Sequence, residues 1–173
     1  GEPERQFTAD CVVGADGRHS RVAAAVRAES YDEVPPAACW YFSYWSDVAL
    51  RGIEFYVRAD RYVITHPTND GLAAIFLGVP IERLHGVRRD IDGAFAQALV
   101  GLSDLAERVR AGRRVEPLFG ATDLPHYYRK PYGAGWALVG DAGCHKDPIL
   151  ALGVCDALRD AELLADALDA RFS

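Results

Sequence analysis

The stretch Trp136-Ala137-Leu138-Val139-Gly140-Asp141-Ala142-Gly143-Cys144-His145-Lys146-Asp147-Pro148 decides the fold of this chain. Its apolar start predicts a buried strand, and Asp141 stands where that strand ends. The segment that follows predicts an amphipathic helix, because apolar residues recur in it at helical spacing: Val154, Ala157, Leu158, Ala161, Leu164, Ala165 and Leu168. A strand that leads into a helix N-terminus is where α/β proteins bind polar and anionic ligands. An N-capped core helix is the competing interpretation.

A second corner of this kind lies near the start of the chain, at Val12-Val13-Gly14-Ala15-Asp16-Gly17-Arg18-His19-Ser20. Residues 9–13 predict a short strand and residues 20–28 a helix, with Ser20 as its cap. The turn between them has bare glycine backbone that a ligand can approach closely. An ordinary turn is the competing interpretation of this motif.

The segment between the two corners predicts an antiparallel sheet with helices attached. Strands are indicated at 39–45, at 53–57 with alternating apolar residues, and as a hairpin at 61–66 and 72–79. Helical spacing over 91–109, interrupted near Gly101 and Ser103, predicts two helices, and 114–119 returns as a strand. The aromatic run 40–45 either lines a substrate pocket or alternates into the core.

Composition excludes several classes of protein. Of 173 residues, 50% are hydrophobic and 25% charged, with a net charge of −6, so we expect a globular chain that binds no nucleic acid. No apolar run approaches the ~20 residues of a membrane span. Four scattered cysteines predict reduced thiols and a cytoplasmic location, and the spacing of Cys144, His145, Asp147 and Cys155 predicts no metal site. Because the chain has no methionine, we expect it to be a piece of a longer polypeptide.

The two corners together resemble the Asp-Gly motif and the Gly-Asp motif of the flavoprotein aromatic hydroxylases and related FAD-dependent monooxygenases. The order of the motifs, the sheet-rich segment between them and the final helix all match that arrangement. The resemblance implies a mixed α+β and α/β fold. Residues 1–30 and 131–173 would belong to an FAD-binding domain, and residues 31–130 would form a substrate domain with an antiparallel sheet.

The resemblance also implies cofactor-binding residues: Asp16, Gly17, Gly140, Asp141, Pro148, Gly153 and Val154. Asp141 would bind the ribityl chain or the pyrophosphate side of FAD, and the N–H groups of Gly153 and Val154 would hold the pyrimidine edge of the flavin. Asp16 and Gly17 would contact the pyrophosphate region and NAD(P)H. The carbonyl region of Pro148 would lie near the substrate. No catalytic side chain is assigned.

The sequence departs from the family pattern in three respects. Ala23 stands where an arginine often follows the Asp-Gly motif, and apolar or weakly polar residues occupy Leu150, Leu152 and Cys155. The Gly-rich dinucleotide fingerprint is not found in the sequence, and Gly14-Ala15-Asp16-Gly17 does not have its spacing. The tryptophan-rich motif of the flavin-dependent halogenases is also missing, which favours hydroxylation over halogenation.

The resulting hypothesis is the C-terminal portion of an FAD-dependent monooxygenase, which hydroxylates a small organic substrate with NAD(P)H and O₂. A flavin-dependent reductase or dehydrogenase is the alternative enzyme. A non-catalytic split or degenerate fragment that needs a partner chain is the alternative from another class. In each case we expect the isolated chain to be inactive and prone to self-association, since the missing N-terminal half would leave apolar surface exposed.

Overall fold

The computed structural model describes residues 5–173. Its strands, in chain order, are β1 Val12–Gly14, β2 Ser30–Val34, β3 Ala38–Ser46, β4 Glu54–Arg58, β5 Arg61–Pro67, β6 Ala73–Pro80, β7 Arg113–Arg114, β8 Phe119–Ala121, β9 His126–Arg129, β10 Tyr132–Gly133, β11 Trp136–Leu138 and β12 Cys144–His145. Its α-helices are α1 Arg21–Val26, α2 Leu84–Arg89, α3 Ile91–Leu99, α4 Ser103–Ala111 and α5 Gly153–Phe172. These elements confirm the predicted mixed fold of helices and antiparallel sheets.

The chain divides into two units. Unit 1 contains the described residues up to Pro35 together with Pro125–Ser173, and unit 2 is Pro36–Leu124. The predicted domain borders near residues 30 and 130 fall inside unit 1, because β2 and β9 pair with each other there.

Unit 1 holds two small three-stranded sheets. In the first sheet β1 pairs in parallel with β11, and β10 pairs antiparallel on the other side of β11. In the second, β9 lies between β12 and β2. Ala23 of α1 packs with Leu138 and Ala142 in a small buried core.

Unit 2 is built on one sheet with the strand order β4-β5-β6-β3-β7, and β8 pairs with β3 as well. The helices α2, α3 and α4 supply buried residues to its core, among them Val87, Phe95 and Leu105. Two predictions are confirmed here: strand β3, and a split of the helical segment into α3 and α4 at Gly101, whose φ of +80° suits glycine. The predicted strand over 114–119 is instead the two short strands β7 and β8.

Strand β4 forms as predicted, but its apolar side faces outward. Phe55 is 55% exposed and Val57 is 60% exposed. The other side of the strand points inward because Arg108 of α4 binds both the Glu54 carboxylate and the Tyr56 hydroxyl. A half-buried ion pair thus lies on the inward side of β4, opposite to the orientation that the apolar pattern alone predicts.

In helix α5, as in β4, part of the predicted apolar stripe is exposed. Val154 is 72% exposed and Leu158 is 67% exposed, whereas Leu164 is half-buried. Asp156 and Asp160 lie on the half-buried side, one helical turn apart, because their carboxylates bind groups of unit 1.

Candidate functional site

The two sequence motifs meet at the carboxyl ends of neighbouring parallel strands. Val12 of β1 lies opposite Trp136 of β11, and Gly14 lies opposite Leu138. The loops that leave the two strands therefore start side by side, at the sheet edge where α/β folds bind ligands. The structure thus brings the Asp-Gly and Gly-Asp motifs together within unit 1.

Gly140 allows the last helix to pack closely against the loop after β11. Its φ is +57°, a region that favours glycine, and a side chain there would place its Cβ 3.1 Å from the Cβ of Ala157 in α5. The Gly140 N–H donates to Oδ2 of Asp160 at 3.1 Å. Both contacts fix the loop against the helix, one residue before Asp141.

Asp141 lies in a short 3-10 helix, Gly140–Ala142, and is half-buried. Within residues 5–173 its carboxylate has no hydrogen-bond donor and no cation as partner. A half-buried carboxylate without a partner is unusual, because burial of a charge costs free energy unless the charge is compensated. Asp141 is therefore the side chain of this corner that is open to accept hydrogen bonds from a ligand.

The N-terminus of α5 lies next to this carboxylate and is not capped by a side chain. Leu152, the residue before the helix, makes no side-chain cap. The first backbone hydrogen bond of the helix runs from the Asp156 N–H to the Leu152 carbonyl at 2.9 Å. The N–H groups of Gly153 and Val154 are thus left open, as at any uncapped helix start. A Cβ built on Gly153 would lie 4.0 Å from Oδ1 of Asp141, so both predicted contacts share one site.

A charged cluster that the sequence pattern did not reveal holds the first turn of α5. Nζ of Lys146 lies 2.7 Å from Oδ2 of Asp156, and Nη2 of Arg159 lies 2.9 Å from Oδ1. The Lys146 ammonium, more than any other group, holds the pKa of Asp156 below its usual range. These two cations neutralise Asp156, so the positive end of the helix dipole remains available to a ligand.

The segment before α5 contains Pro148 at the start of a 3-10 helix, Pro148–Leu150. Oδ1 of Asp147 accepts the Ile149 N–H at 2.9 Å and so fixes this turn. Ala151 follows with a φ of +52°, which redirects the chain into α5. The role of the Pro148 carbonyl beside a substrate stays a prediction.

Asp16 has a local role that the sequence analysis did not foresee. Its Oδ2 accepts the N–H of Arg21 at 2.7 Å and that of Val22 at 3.3 Å, so the carboxylate caps α1 together with Ser20, whose Oγ accepts the Ala23 N–H at 2.9 Å. The Ser20 hydroxyl contributes most to lowering the pKa of Asp16.

In the Asp-Gly motif, the backbone of Gly17 is accessible to a ligand. Its φ is +76°, and a Cβ placed there would meet no atom within 4 Å. Bare backbone is therefore accessible at Gly17, whereas the Asp16 side chain is already engaged. Contact of either residue with a pyrophosphate or NAD(P)H stays a prediction.

A cavity of about 620 Å³ in unit 1 is lined in part by the charged cluster of Lys146, Asp156 and Arg159. Trp136, Tyr132, Leu163 and Leu168 contribute apolar walls, and the residues that line it do not include Asp141, Gly153 or the Asp-Gly motif. The cavity therefore borders the first turn of α5 without including Asp141 or Gly153 in its lining.

Among residues 5–173 the cysteines are free, and the potential metal ligands lie apart from one another. The four cysteines are unpaired, and no group of three or more His, Cys, Asp or Glu side chains there is placed to hold a metal ion. Burial raises the pKa of Cys144, which keeps that thiol protonated at neutral pH. Over the same residues, no helix is both long enough and apolar enough to span a membrane.

The aromatic run on β3 alternates between the two faces of the unit 2 sheet. Tyr41 and Trp45 belong to the buried core, and Trp45 stacks on Phe95 of α3 with ring centres 5.2 Å apart. On the opposite face Phe42 stacks on Phe76 of β6 at 5.1 Å. The core interpretation thus holds for one face of the run, whereas on the other face Phe42 and Tyr44 are half-buried; a substrate pocket lined by this run stays a prediction.

Solved structures of flavin enzymes share this fold. The myxobacterial chondrochloren halogenase CndH, described as an FAD-dependent halogenase, matches 95% of this chain with a TM-score of 0.80 at 22% identity. The flavin-dependent brominase Bmp2 matches 92% with a TM-score of 0.78 at 19% identity. The "probable FAD-dependent monooxygenase" PqsL from Pseudomonas aeruginosa matches 92% with a TM-score of 0.71 at 22% identity.

The match covers only part of each of these proteins: 41% of CndH, 42% of Bmp2 and 46% of PqsL. No protein-family model matches the chain, and no curated protein sequence matches it at a significant level. At these identities the likeness establishes the fold. The chain has the fold that flavin-dependent halogenases and an FAD-dependent monooxygenase share over this part of their length, which confirms the resemblance predicted from the two motifs.

Proposed function

We propose that this chain forms part of the FAD site of a flavin-dependent monooxygenase, which hydroxylates a small organic substrate with NAD(P)H and O₂. One observation carries the proposal: the unpartnered carboxylate of Asp141 and the uncapped N-terminus of α5 occupy the same corner. The fold shared with flavin enzymes supports it.

The residues of this corner fit the ribityl and pyrimidine side of a flavin. The Asp141 carboxylate is an acceptor for ribityl hydroxyls, and the N–H groups of Gly153 and Val154 are donors for a ring carbonyl. Gly153 has no side chain to keep a flat ring from the backbone. The positive end of α5 favours a ring that gains negative charge on reduction.

The adenosine side of the cofactor has no comparable site in this sequence, which contains no Gly-rich fingerprint. Bound FAD would supply the redox chemistry with NAD(P)H and O₂. The role of this chain in that reaction is to bind and orient the flavin. The unpaired cysteines are compatible with a reducing, cytoplasmic location.

For the substrate, the aromatic face of unit 2 supports an aromatic or otherwise apolar compound. Phe42 and Phe76 stack there, and Phe119 of β8 joins them with its ring centre 5.4 Å from that of Phe42. Aromatic side chains bind flat apolar ligands by offset or edge contacts. PqsL has been solved in complex with an aromatic compound, 2-aminobenzoylacetate.

Flavin binding tests the proposal directly. Equilibrium dialysis of FAD against the chain should show binding that Asp141→Ala weakens about ten- to hundred-fold, the usual worth of hydrogen bonds to a charged group. Asp166→Ala is the matched control, because Asp166 is an exposed carboxylate on α5 and has no ion pair in the described chain. Equal affinities for the two variants would contradict the proposal.

The reaction type needs a separate test on the protein that turns over. Incorporation of ¹⁸O from labelled O₂ into the product is expected for hydroxylation. A product oxidised without ¹⁸O would instead favour the alternative reductase or dehydrogenase. A halogenated product formed in the presence of halide would show that the chemistry follows CndH and Bmp2.

A non-catalytic split or degenerate fragment that needs a partner chain is the alternative from another class; this sequence contains no Gly-rich fingerprint. Such a fragment would bind a partner chain and would not bind FAD. The dialysis experiment separates the two, since only the first proposal predicts an affinity for FAD that depends on Asp141.

A further inference from the structure

The loops after β1 and β11 both carry predicted flavin contacts, but the strands hold them together only at their bases. The last backbone contact between them is the hydrogen bond from the Val139 N–H to the Gly14 carbonyl at 3.0 Å. Beyond it, no backbone hydrogen bond joins residues 15–20 to residues 140–143 in the described chain. The relative placement of the two loops therefore depends on side chains.

Tyr127 of β9 makes this connection. Its hydroxyl donates to the Asp141 carbonyl at 2.7 Å and lies 3.1 Å from the Arg18 carbonyl, so one proton serves both acceptors in a three-centre arrangement. The residue is buried, and its ring stacks on His145 with centres 5.7 Å apart. Nδ1 of His145 is in turn hydrogen-bonded to the Pro125 carbonyl. The stacked and hydrogen-bonded His145 ring therefore restricts the position of the Tyr127 side chain.

Arg129, two residues further along β9, strengthens the same connection. Its Nη1 donates to the Ala142 carbonyl at 2.9 Å, and its Nη2 donates to the Arg18 carbonyl at 3.3 Å. The guanidinium also lies over the Tyr127 ring, 4.2 Å from its centre. Two side chains of one strand therefore bind three carbonyls of the two loops.

From these contacts we infer that Tyr127 is a positioning residue for the proposed FAD site. Its hydroxyl fixes the peptide that follows Asp141 relative to the loop of Asp16 and Gly17, and so sets the direction of the Asp141 carboxylate. This inference rests on the proposed function. The residue touches no ligand itself and acts through Asp141.

A merely structural role for Tyr127 makes a different prediction. A hydrogen bond that only stabilises unit 1 would change flavin affinity independently of the Asp141 side chain, or not at all. A hydrogen bond that orients the carboxylate loses its effect on flavin affinity once the carboxylate is gone. Burial raises the pKa of Tyr127, so the hydroxyl keeps its proton and remains a donor throughout the neutral range.

A double-mutant cycle on the 173-residue chain tests the inference, with FAD as the ligand in equilibrium dialysis. Tyr127→Phe keeps the ring and removes only the hydroxyl, and it should weaken FAD binding about three- to ten-fold. In the Asp141→Ala background the same substitution should cause almost no further weakening. The visible absorption spectrum of bound FAD should shift in Tyr127→Phe, because the environment of the ring changes.

Tyr128→Phe is the matched control, since Tyr128 is the next residue of the same strand, points to the opposite face, is 40% exposed and stacks on Tyr31. It should leave FAD affinity unchanged. If Tyr127→Phe fails to fold in a thermal melt, Arg129→Lys replaces it in the same cycle, because lysine keeps the charge but cannot reach two carbonyls at once.

Two results would overturn the inference: an unchanged FAD affinity in Tyr127→Phe, or an equal loss in the wild-type and Asp141→Ala backgrounds. Failure of the proposed function is recognised separately, because Asp141→Ala alone would then have no effect.

Discussion

Replacing Arg108 by methionine is expected to destabilise unit 2 by about 2–3 kcal/mol at neutral pH. The guanidinium binds Glu54 through two hydrogen bonds, from Nη1 to Oε1 at 3.0 Å and from Nη2 to Oε2 at 2.7 Å. It also donates to the Ala49 carbonyl at 2.7 Å and to the Tyr56 hydroxyl at 3.0 Å. A fifth hydrogen bond joins Nη2 to Oδ2 of Asp104 at 2.9 Å, and methionine keeps the aliphatic stem of the side chain but removes all five bonds.

The magnitude follows from the carboxylate that remains. Arg108 is the main cause that lowers the pKa of Glu54 from 4.5 to about 2. A shift of that size corresponds to about 3 kcal/mol at pH 7. Both side chains are nearly one-fifth exposed, so water weakens the interaction somewhat and the expected loss is slightly smaller than the full shift.

The pH dependence provides a second signature of the same pair. Because the folded-state pKa of Glu54 lies below the unfolded-state value, its contribution is complete above about pH 4.5 and is lost as the pH falls towards 2. Arg108→Met should therefore lack this part of the acid-induced loss of stability. The wild-type and variant stabilities should converge at low pH.

Urea unfolding at pH 7, 4.5 and 3 measures these effects. Tryptophan fluorescence reports on unit 2 through the buried Trp40 and Trp45. Arg110→Met is the matched control, because Arg110 is exposed on the same helix, and it should cost less than about 0.5 kcal/mol. A loss in Arg108→Met no larger than in Arg110→Met, or the same slope with pH in both, would refute the reasoning.

Three further predictions concern single features of the chain. Gly153→Ala should raise the melting temperature slightly, since alanine favours helices. The same substitution should lower FAD affinity in dialysis, and equal or tighter FAD binding would count against a flavin ring at this position. Ser20→Ala should cost about 1 kcal/mol in urea unfolding because the Ala23 N–H loses its cap, and an unchanged midpoint would show that the cap contributes nothing. Phe55→Thr with Val57→Thr should reduce self-association in light scattering, and a wild-type chain that stays monomeric would contradict the expectation that this exposed strand face drives it.

The elements around the two motifs could be predicted because their signals are local. Strand β11, the turn at Gly140 and the helix from Gly153 follow from apolar runs and glycines within a few residues of one another. The capping role of Ser20 was also readable from its place before a helical run. The pairing of β1 with β11 is not local and was not predicted; the resemblance implied only that the two motifs contribute to one cofactor site.

The orientation of β4 and the role of Tyr127 could not be predicted, for one physical reason. Each depends on a contact between residues far apart in the sequence: Glu54 with Arg108, and Tyr127 with Arg18. Alternation along a strand shows which residues share a face, but not which face turns inward. The inward face is set by contacts between distant residues, such as an ion pair or a buried hydroxyl, which form only when the chain folds.

The central claim is that the corner of Asp141 and α5 binds the flavin and ribityl part of the cofactor. Equilibrium dialysis of FAD, FMN and riboflavin against the wild-type chain and Asp141→Ala tests it most directly. FAD and FMN should bind with affinities within about ten-fold of each other, since no adenosine site is expected, and Asp141→Ala should weaken both by a similar factor. Flavin binding that is insensitive to Asp141→Ala, or no flavin binding by the wild-type chain, would contradict the claim.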